Sequence, residues 1–388
     1  MDLRRIPAAA ADAPSDPELL AQIQAEIARR GPITFARFME VALYDPRRGY
    51  YRGPLPRPGR AGDFLTAPEA SPIFGRALAR FTLGVHTALG RPGILTIREF
   101  GAGAGALAEP LVRALLEHPD GPRALRYLVA EVEPARADAV AARIGAAGID
   151  PRSVVVEPDD DGPIEGLVIA NEVLDALPTH RVVVRDGSLR EILVGLGPDG
   201  ELVDVEAEPS TPGLAARLAA ESVVLAEGQH GEVCLELDDW VAAAAAGLRR
   251  GVLLVIDYGH PAADLYDPRR RAAGTLATYQ GHTVGEDPYR SVGRQDLTAH
   301  VDVRAVERAA EAAGLERVGS TTQSEFLAKL GIGELLVAEQ TRPGITIASY
   351  LETRSALVRM IDPAAMGRFR VLAWARDLTQ SSALPGLG

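Results

Sequence analysis

The chain has 388 residues, 47% of them hydrophobic, enough for one large α/β domain with additions or for two domains. Its net charge of −12 has no basic stripe to interrupt it, which argues against a nucleic-acid partner, and among the 41 basic residues only Lys329 is a lysine. The single cysteine, Cys234, excludes an internal disulfide and speaks against a cysteine-based zinc site; no other metal motif is read. No apolar run approaches the roughly 18–20 residues that span a bilayer. The N-terminus lacks a hydrophobic signal core, and Asp2, Asp12, Asp16 and Glu18 argue against a transit peptide, so a cytoplasmic location is expected.

Residues 1–16, rich in Ala, Pro and Asp, read as a loose tail. A helical cap over 17–90 follows. An amphipathic helix from Pro17 to Arg30 stops at Gly31-Pro32, and a second from Thr34 to Leu43 is broken by Asp45-Pro46. Gly49-Tyr50-Tyr51 leads into a Pro/Gly-rich loop through Gly62. In Gly62-Asp63-Phe64-Leu65-Thr66-Ala67-Pro68-Glu69, the Thr66/Glu69 pair is either a capping box alone or a helix start at which Asp63 or Thr66 touches a ligand.

Residues 91–180 and 250–388 read as the sheet-bearing core. Ile94 to Glu99 is a buried strand that runs into Gly101, Gly103 and Gly105, followed by an Ala/Leu-rich helix. Glycine permits the sharp turn and a close backbone approach to a ligand, and the helix start offers free N–H groups. A dinucleotide fingerprint tolerates alanine at position 106, so the glycines alone leave a nicotinamide or flavin site open. Glu99 shifts the balance. A carboxylate beside a pyrophosphate is unfavourable, whereas a ligand carrying an ammonium group and no phosphate, such as S-adenosylmethionine, suits it. The strand Tyr127–Ala130 ends in Glu131, placed to accept ribose hydroxyls.

Further strands are expected at 153–156, 167–171 and 252–257. The fourth strand ends in Asn171-Glu172-Val173-Leu174-Asp175, at the carboxyl edge where open α/β sheets bind ligands. Carboxylates there suit a cationic nucleophile, because a guanidinium binds two carboxylate oxygens in a planar fork. Methyl transfer depends chiefly on alignment, which supplies roughly 7–11 kcal/mol at best. The plainer alternative makes Glu172 and Asp175 a helix cap and a dipole partner.

Residues 181–249 read as a β-rich insertion and a connecting helix, with hairpin turns at Asp186-Gly187 and Asp199-Gly200. The Gly/Pro/Asp-rich stretch 258–298 reads as a long loop, the kind that is usually functional. It closes on Gln295 to Asp302, where His300 is either a general base or a hydrogen-bonded cap residue. A helix at 302–313, strands at 315–321 and 368–373, and helical sequence between them complete a seven-stranded sheet with an antiparallel last pair.

Several of these segments resemble, in order, the MidA family of S-adenosylmethionine-dependent methyltransferases. They are Gly31-Pro32-Ile33, Tyr44-Asp45-Pro46, Gly49-Tyr50-Tyr51, Gly62-Asp63-Phe64 with Thr66 to Glu69, and Glu99 to Gly105. Asn171-Glu172 with Asp175 to Pro178, Asp257-Tyr258-Gly259, and Gln295 to Thr298 with His300 to Asp302 complete the set. The resemblance implies a class I methyltransferase (Rossmann-like) fold and cofactor contacts at Gly101, Gly103, Gly105 and Glu131. Glu133 stands where a small polar residue is expected, so the ribose contact belongs to either glutamate. Mitochondrial members of the family assist assembly of respiratory complex I, and one dimethylates an arginine of a subunit. The resemblance thus implies a protein substrate; a small-molecule methyltransferase and a non-enzymatic assembly factor are the alternatives. The sequence does not fix an oligomeric state. The expected site comprises Glu172, Asp175 and His300 for chemistry, with Glu99, Gly101, Gly103, Gly105, Glu131, Asn171, Asp63 and Thr66 for the cofactor.

Overall fold

The structure, a computed structural model, describes residues 14–53, 65–378 and 384–387. They form two compact units. The first comprises the described residues up to 65 together with 175–237 and 260–305; the second comprises 66–174, 238–259 and the described residues from 306 onward.

The second unit is built on a sheet of seven strands: β1 (Ile94–Phe100), β2 (Ala124–Ala130), β3 (Val154–Pro158), β4 (Ile164–Asn171), β5 (Leu248–Asp257), β6 (Glu316–Thr322) and β7 (Arg370–Arg376). Their spatial order is β6-β7-β5-β4-β1-β2-β3. Strands β1 to β5 pair in parallel, and β7 runs antiparallel to both neighbours. Strands covered on both faces read as continuous apolar runs, and Leu167 to Ala170 and Val252 to Ile256 are fully buried or nearly so. Chain order reverses between β1 and β4, so the ends of these neighbouring strands form a topological switch point. The α/β class and the antiparallel last strand are as expected. The helical stretch after β6 is three helices, Gln323–Lys329, Ile332–Gln340 and Ile347–Ile361, interrupted at Gly331 (φ +71°) and at Pro343-Gly344.

A buried ion pair braces the second unit. Arg98 is 2% exposed, donates Nε to Asp159 Oδ1 at 2.9 Å, and spends its remaining donors on the carbonyls of Gly247 and Gly162.

In the first unit, the helices Pro17–Arg30 and Phe35–Tyr44 bury Leu19, Ile23, Phe35, Phe38 and Met39 in one cluster with Val194 and Leu297. Thr34 caps the second helix through the Arg37 N–H at 3.1 Å. Asp16 caps the first and is itself held by Arg48 and Arg294, so residues 14–16, expected as part of a loose tail, are anchored, while residues 1–13 lie outside the described residues. Strands Ser188–Leu196 and His180–Arg185 pair across Asp186 and Gly187, both at positive φ, as a two-residue hairpin requires. Ile33–Thr34 adds to the same sheet, so the helical N-terminal part and the β-rich insertion share a sheet rather than standing as separate pieces.

The long loop expected over 258–298 carries structure of its own. Ala277–Gln280, Thr283–Gly285 and Asp296–Thr298 form a three-stranded antiparallel sheet. Its tight turn is Gly281-His282, with φ of +54° and +61°. Gly-His is not one of the Asn-Gly or Asp-Gly pairs that announce a two-residue hairpin, which hides this one from a reading based on them.

Candidate active site

The carboxyl ends of β1, β2, β4 and β5 carry the site residues of the second unit. After β1 the chain turns through Gly101, Gly103 and Gly105, with φ of +67°, +54° and +74°. A side chain at these values is strained, and a Cβ at Gly101 would also meet Val173 Cγ2 at 2.9 Å. A Cβ at Gly103 would meet nothing within 4 Å. That side of the loop is open, as close approach of a ligand to backbone demands. Glu131 reaches the loop from β2, where its Oε1 accepts the Gly103 N–H at 2.6 Å.

Glu99, expected to face a ligand, is 3% exposed, and its Oε2 accepts the Tyr127 hydroxyl at 2.6 Å. Burial pushes its carboxyl up to about 7, against the Tyr127 hydrogen bond, and the charge of Glu131 adds to the rise. The Tyr127 hydroxyl is pushed well above its ordinary range, first by burial and then by Glu99, so it stays a donor.

At the tip of β4, Glu172 has φ +55°, a left-handed conformation that costs a bulky residue about 1–2 kcal/mol. No helix begins here. The only helical feature is the 3₁₀ turn Leu174–Ala176, which removes the helix-cap account of Glu172 and the shared helical face with Asp175. The Glu172 N–H donates to the Ile256 carbonyl at 2.8 Å. Its Oε1 accepts Asn171 Nδ2 at 3.1 Å and, at 3.4 Å, the Ala67 N–H. Asn171 Oδ1 is buried and has no hydrogen-bond partner among the described residues. Thr66 donates its N–H and hydroxyl to Glu69 Oε2 at 3.3 and 3.1 Å, part of the expected capping interaction. Asp63 lies outside the described residues.

Two further site candidates belong to the first unit. The Asp175 carbonyl accepts the Ala299 N–H at 2.9 Å, which brings Asp175 to the segment bearing His300. His300 stacks on His260 at 5.4 Å, and Arg271 bridges the pair, Nη1 to His300 Nδ1 at 3.3 Å and Nη2 to His260 Nε2 at 2.6 Å. A nitrogen facing an arginine donor is an acceptor, so His300 carries its proton on Nε2. The cap alternative for His300 is not what forms. Asp302 caps the helix Val303–Ala312, with Oδ1 accepting Arg304 N–H at 3.0 Å and Ala305 N–H at 3.2 Å.

The sequence marks Asp257 only as part of the Asp257-Tyr258-Gly259 motif; in the structure its Oδ2 binds the backbone after Glu172, accepting the Val173 and Leu174 N–H groups. Tyr127 was not singled out at all. A tyrosine one strand away from a buried acid leaves no local sequence signature.

A doubly wound sheet whose first strand runs into an open-sided glycine turn, beside a second-strand acid, defines an α/β enzyme that binds a nucleoside. Residues 77–321 match a protein-family profile described as "Putative S-adenosyl-L-methionine-dependent methyltransferase". The chain belongs to this family, and S-adenosyl-L-methionine is its cofactor. The chain is similar to the mitochondrial "Protein arginine methyltransferase NDUFAF7 homolog" of Drosophila melanogaster, 29% identical over 92% of this chain and 84% of that protein. Protein arginine methyltransferase NDUFAF7 of Xenopus laevis, also mitochondrial, is 30% identical over 81% of this chain and 74% of that protein. A COG1565 superfamily member from Burkholderia thailandensis, bound to S-adenosyl-homocysteine, superposes with a TM-score of 0.86 at 32% identity, covering 97% of this chain and 98% of that one.

The nicotinamide alternative is thereby excluded. The expected cytoplasmic location is overturned as well, since the curated relatives from fly, frog and human are mitochondrial proteins. Among the described residues, no helix is long and apolar enough to cross a membrane.

Proposed function

We propose that the chain transfers a methyl group to a guanidinium nitrogen of an arginine in a protein. The observation that carries this reading is Glu172, a carboxylate held at the tip of β4 in a strained conformation by Asn171 and the β5 backbone. Strain of this kind persists where function requires it. The relatives named as protein arginine methyltransferases support the same acceptor.

The residues fit the cofactor. Gly103 offers a backbone face that a Cβ would fill, and Asn171 Oδ1 is a buried acceptor suited to a ligand N–H. S-adenosyl-L-methionine supplies an electrophilic methyl carbon on a sulfonium. In this reading Gly101, Gly103 and Gly105 admit the nucleoside, while Glu131 exchanges the Gly103 N–H for ribose hydroxyls, with Glu133 as the other candidate. Asn171, Thr66 and Asp63 serve the methionine end, and Glu99 contributes a negative charge toward its ammonium. Glu172 orients the guanidinium through two oxygens, holds its positive charge, and takes the proton released once the nitrogen is alkylated. Asp175 adds a second acid. His300 positions Arg271, because its acceptor nitrogen is already engaged.

The test is incubation of the full chain with radiolabelled cofactor and a lysate from a strain lacking the protein, followed by mass spectrometry of the labelled band. Methylarginine is expected, and Glu172→Gln abolishes it. Label on another side chain or on a small molecule would refute the reading.

A further inference from the structure

Glu99 is 3% exposed and gives an oxygen to the Tyr127 hydroxyl, so its charge acts on a ligand from a distance. The amino-acid end of S-adenosyl-L-methionine carries an ammonium that needs a direct acceptor. The second unit holds another acid, nearer the surface. Glu69 is half-buried, and its Oε2 accepts both the N–H and the hydroxyl of Thr66, at 3.3 and 3.1 Å. Among the described residues its Oε1 has no hydrogen-bond partner, and no cation makes an ion pair with it. Burial pushes the carboxyl up, against the Thr66 bonds and the more distant charge of Arg143. The acid has lost water without gaining a cation in contact.

Glu69 stands at the switch point between β1 and β4. The Ala67 N–H, two positions before it, donates to Glu172 Oε1 at 3.4 Å and so ties the segment Thr66–Ala70 to the tip of β4. The helix Ile73–Ala88 that follows lies against the helix Ala108–Glu117, which leaves the glycine turn: a Cβ at Gly75 would meet Pro110 Cγ at 2.7 Å and the Leu107 carbonyl at 3.1 Å. Arg143, whose charge reaches Glu69, donates Nη1 to the Ala104 carbonyl at 3.5 Å, within the turn itself. The cofactor's sulfur bears three groups: the nucleoside, the methyl and the amino-acid arm. With the nucleoside at the glycine turn and the methyl toward Glu172, the arm leaves from between those two landmarks, and Glu69 is tied to both.

An ammonium is a compact point charge that one carboxylate oxygen can engage, whereas a guanidinium is matched by two oxygens in its plane. Glu69 has one oxygen to offer. We infer that Glu69 receives the α-ammonium of S-adenosyl-L-methionine through Oε1. Thr66 serves the methionine end by fixing the other oxygen of that carboxylate. This role requires only the cofactor, whatever the methyl acceptor is. The plainer role, a capping box alone, asks of residue 69 only an acceptor oxygen, which glutamine supplies equally well.

The test is calorimetry on the full chain with two probes, S-adenosylhomocysteine and S-adenosyl-4-thiobutyrate, which lacks only the ammonium. The parent should bind the first at least about tenfold more tightly than the second. Glu69→Gln keeps the acceptor for Thr66 and removes the charge. It should weaken S-adenosylhomocysteine at least about tenfold and leave the deaminated probe unchanged. Equal weakening of both probes would mean that Glu69 only shapes the pocket, and overturns the contact. A variant that prefers S-adenosylhomocysteine as strongly as the parent also overturns it, because the ammonium then has another partner. Should Glu69→Gln not fold, Glu69→Asp, which draws the charge back by one methylene, takes its place: selective loss of S-adenosylhomocysteine supports the contact, and no selective loss sinks it. A chain that methylates arginine yet binds the two probes equally loses the contact and keeps its reaction.

Discussion

Asp257 holds the backbone of Leu174 in place. Its Oδ2 accepts the Leu174 N–H at 2.8 Å and the Val173 N–H at 3.1 Å, and its Oδ1 accepts the Tyr258 N–H at 2.8 Å. Together with the bond from Glu172 N–H to Ile256, this pins both sides of the strained Glu172 to the end of β5. Asp257→Ala orphans backbone donors in a buried place and should cost about 2–4 kcal/mol in urea unfolding. Asp257→Asn keeps one acceptor and should cost less. In both variants kcat should fall further than cofactor affinity, because the glycine loop is untouched.

Glu172→Gln keeps the shape and removes the charge. Methyl transfer should drop by at least about a hundredfold, with S-adenosylhomocysteine binding unaltered by calorimetry. Glu172→Gly tests the strain directly. Glycine accepts φ +55° freely, so this variant should melt no lower than the parent despite losing its contacts, while activity disappears. A clearly lower melting temperature would mean that the left-handed conformation stores no strain.

Glu99 makes stability depend on pH. Its carboxyl, pushed up to about 7 in the folded chain against an ordinary 4.5, binds its proton more tightly folded than unfolded. Stability attributable to it is therefore full below about 4.5, falls as pH rises to about 7, and is level above that, a loss of roughly 3 kcal/mol. Glu99→Gln should remove that slope in unfolding measured at pH 5 and pH 8. A ligand ammonium near Glu99 would favour its ionised form. Calorimetry near pH 7 in buffers of different ionisation heat should then show proton release on S-adenosylhomocysteine binding, absent in Glu99→Gln. No release from the parent chain would place the ammonium elsewhere.

Gly103→Ala separates ligand approach from folding. Its Cβ points into open space, so the folding cost is limited to the left-handed φ, about 1 kcal/mol. Affinity for S-adenosylhomocysteine should fall at least about tenfold if that open side receives the nucleoside.

Breaking the Arg98–Asp159 pair should be more costly than any of these. Arg98→Ala leaves a buried carboxylate and two carbonyls without their donor, and about 3–5 kcal/mol should be lost in chemical unfolding. Cofactor binding by the fraction still folded should be normal.

The sheet was legible because its strands are apolar runs punctuated by glycines and acids, and the run from Ile94 through Gly105 carries strand, turn and helix start in one local pattern. What escaped was non-local or conformational. Asn171-Glu172 has the composition of a helix cap, and nothing in those letters announces a positive φ. Glu99 sits where a ligand contact is expected, but its partner is Tyr127, 28 residues on, reached only once β1 and β2 pair. Tyr51 and Asp296 are separated by 245 positions and meet through tertiary structure alone. The hairpin at Gly281-His282 was hidden because its turn lacks the Asn-Gly or Asp-Gly pair.

The place of β7 in the sheet has a consequence for synthesis. This strand leaves the ribosome after all the others yet inserts between β5 and β6. Until residues 370–376 emerge, β5 presents a bare apolar edge and β6 has nothing to pair with. A nascent chain stalled or terminated before that point exposes a template for association with its neighbours, so a chaperone that shields strand edges would matter most in the last moments of translation.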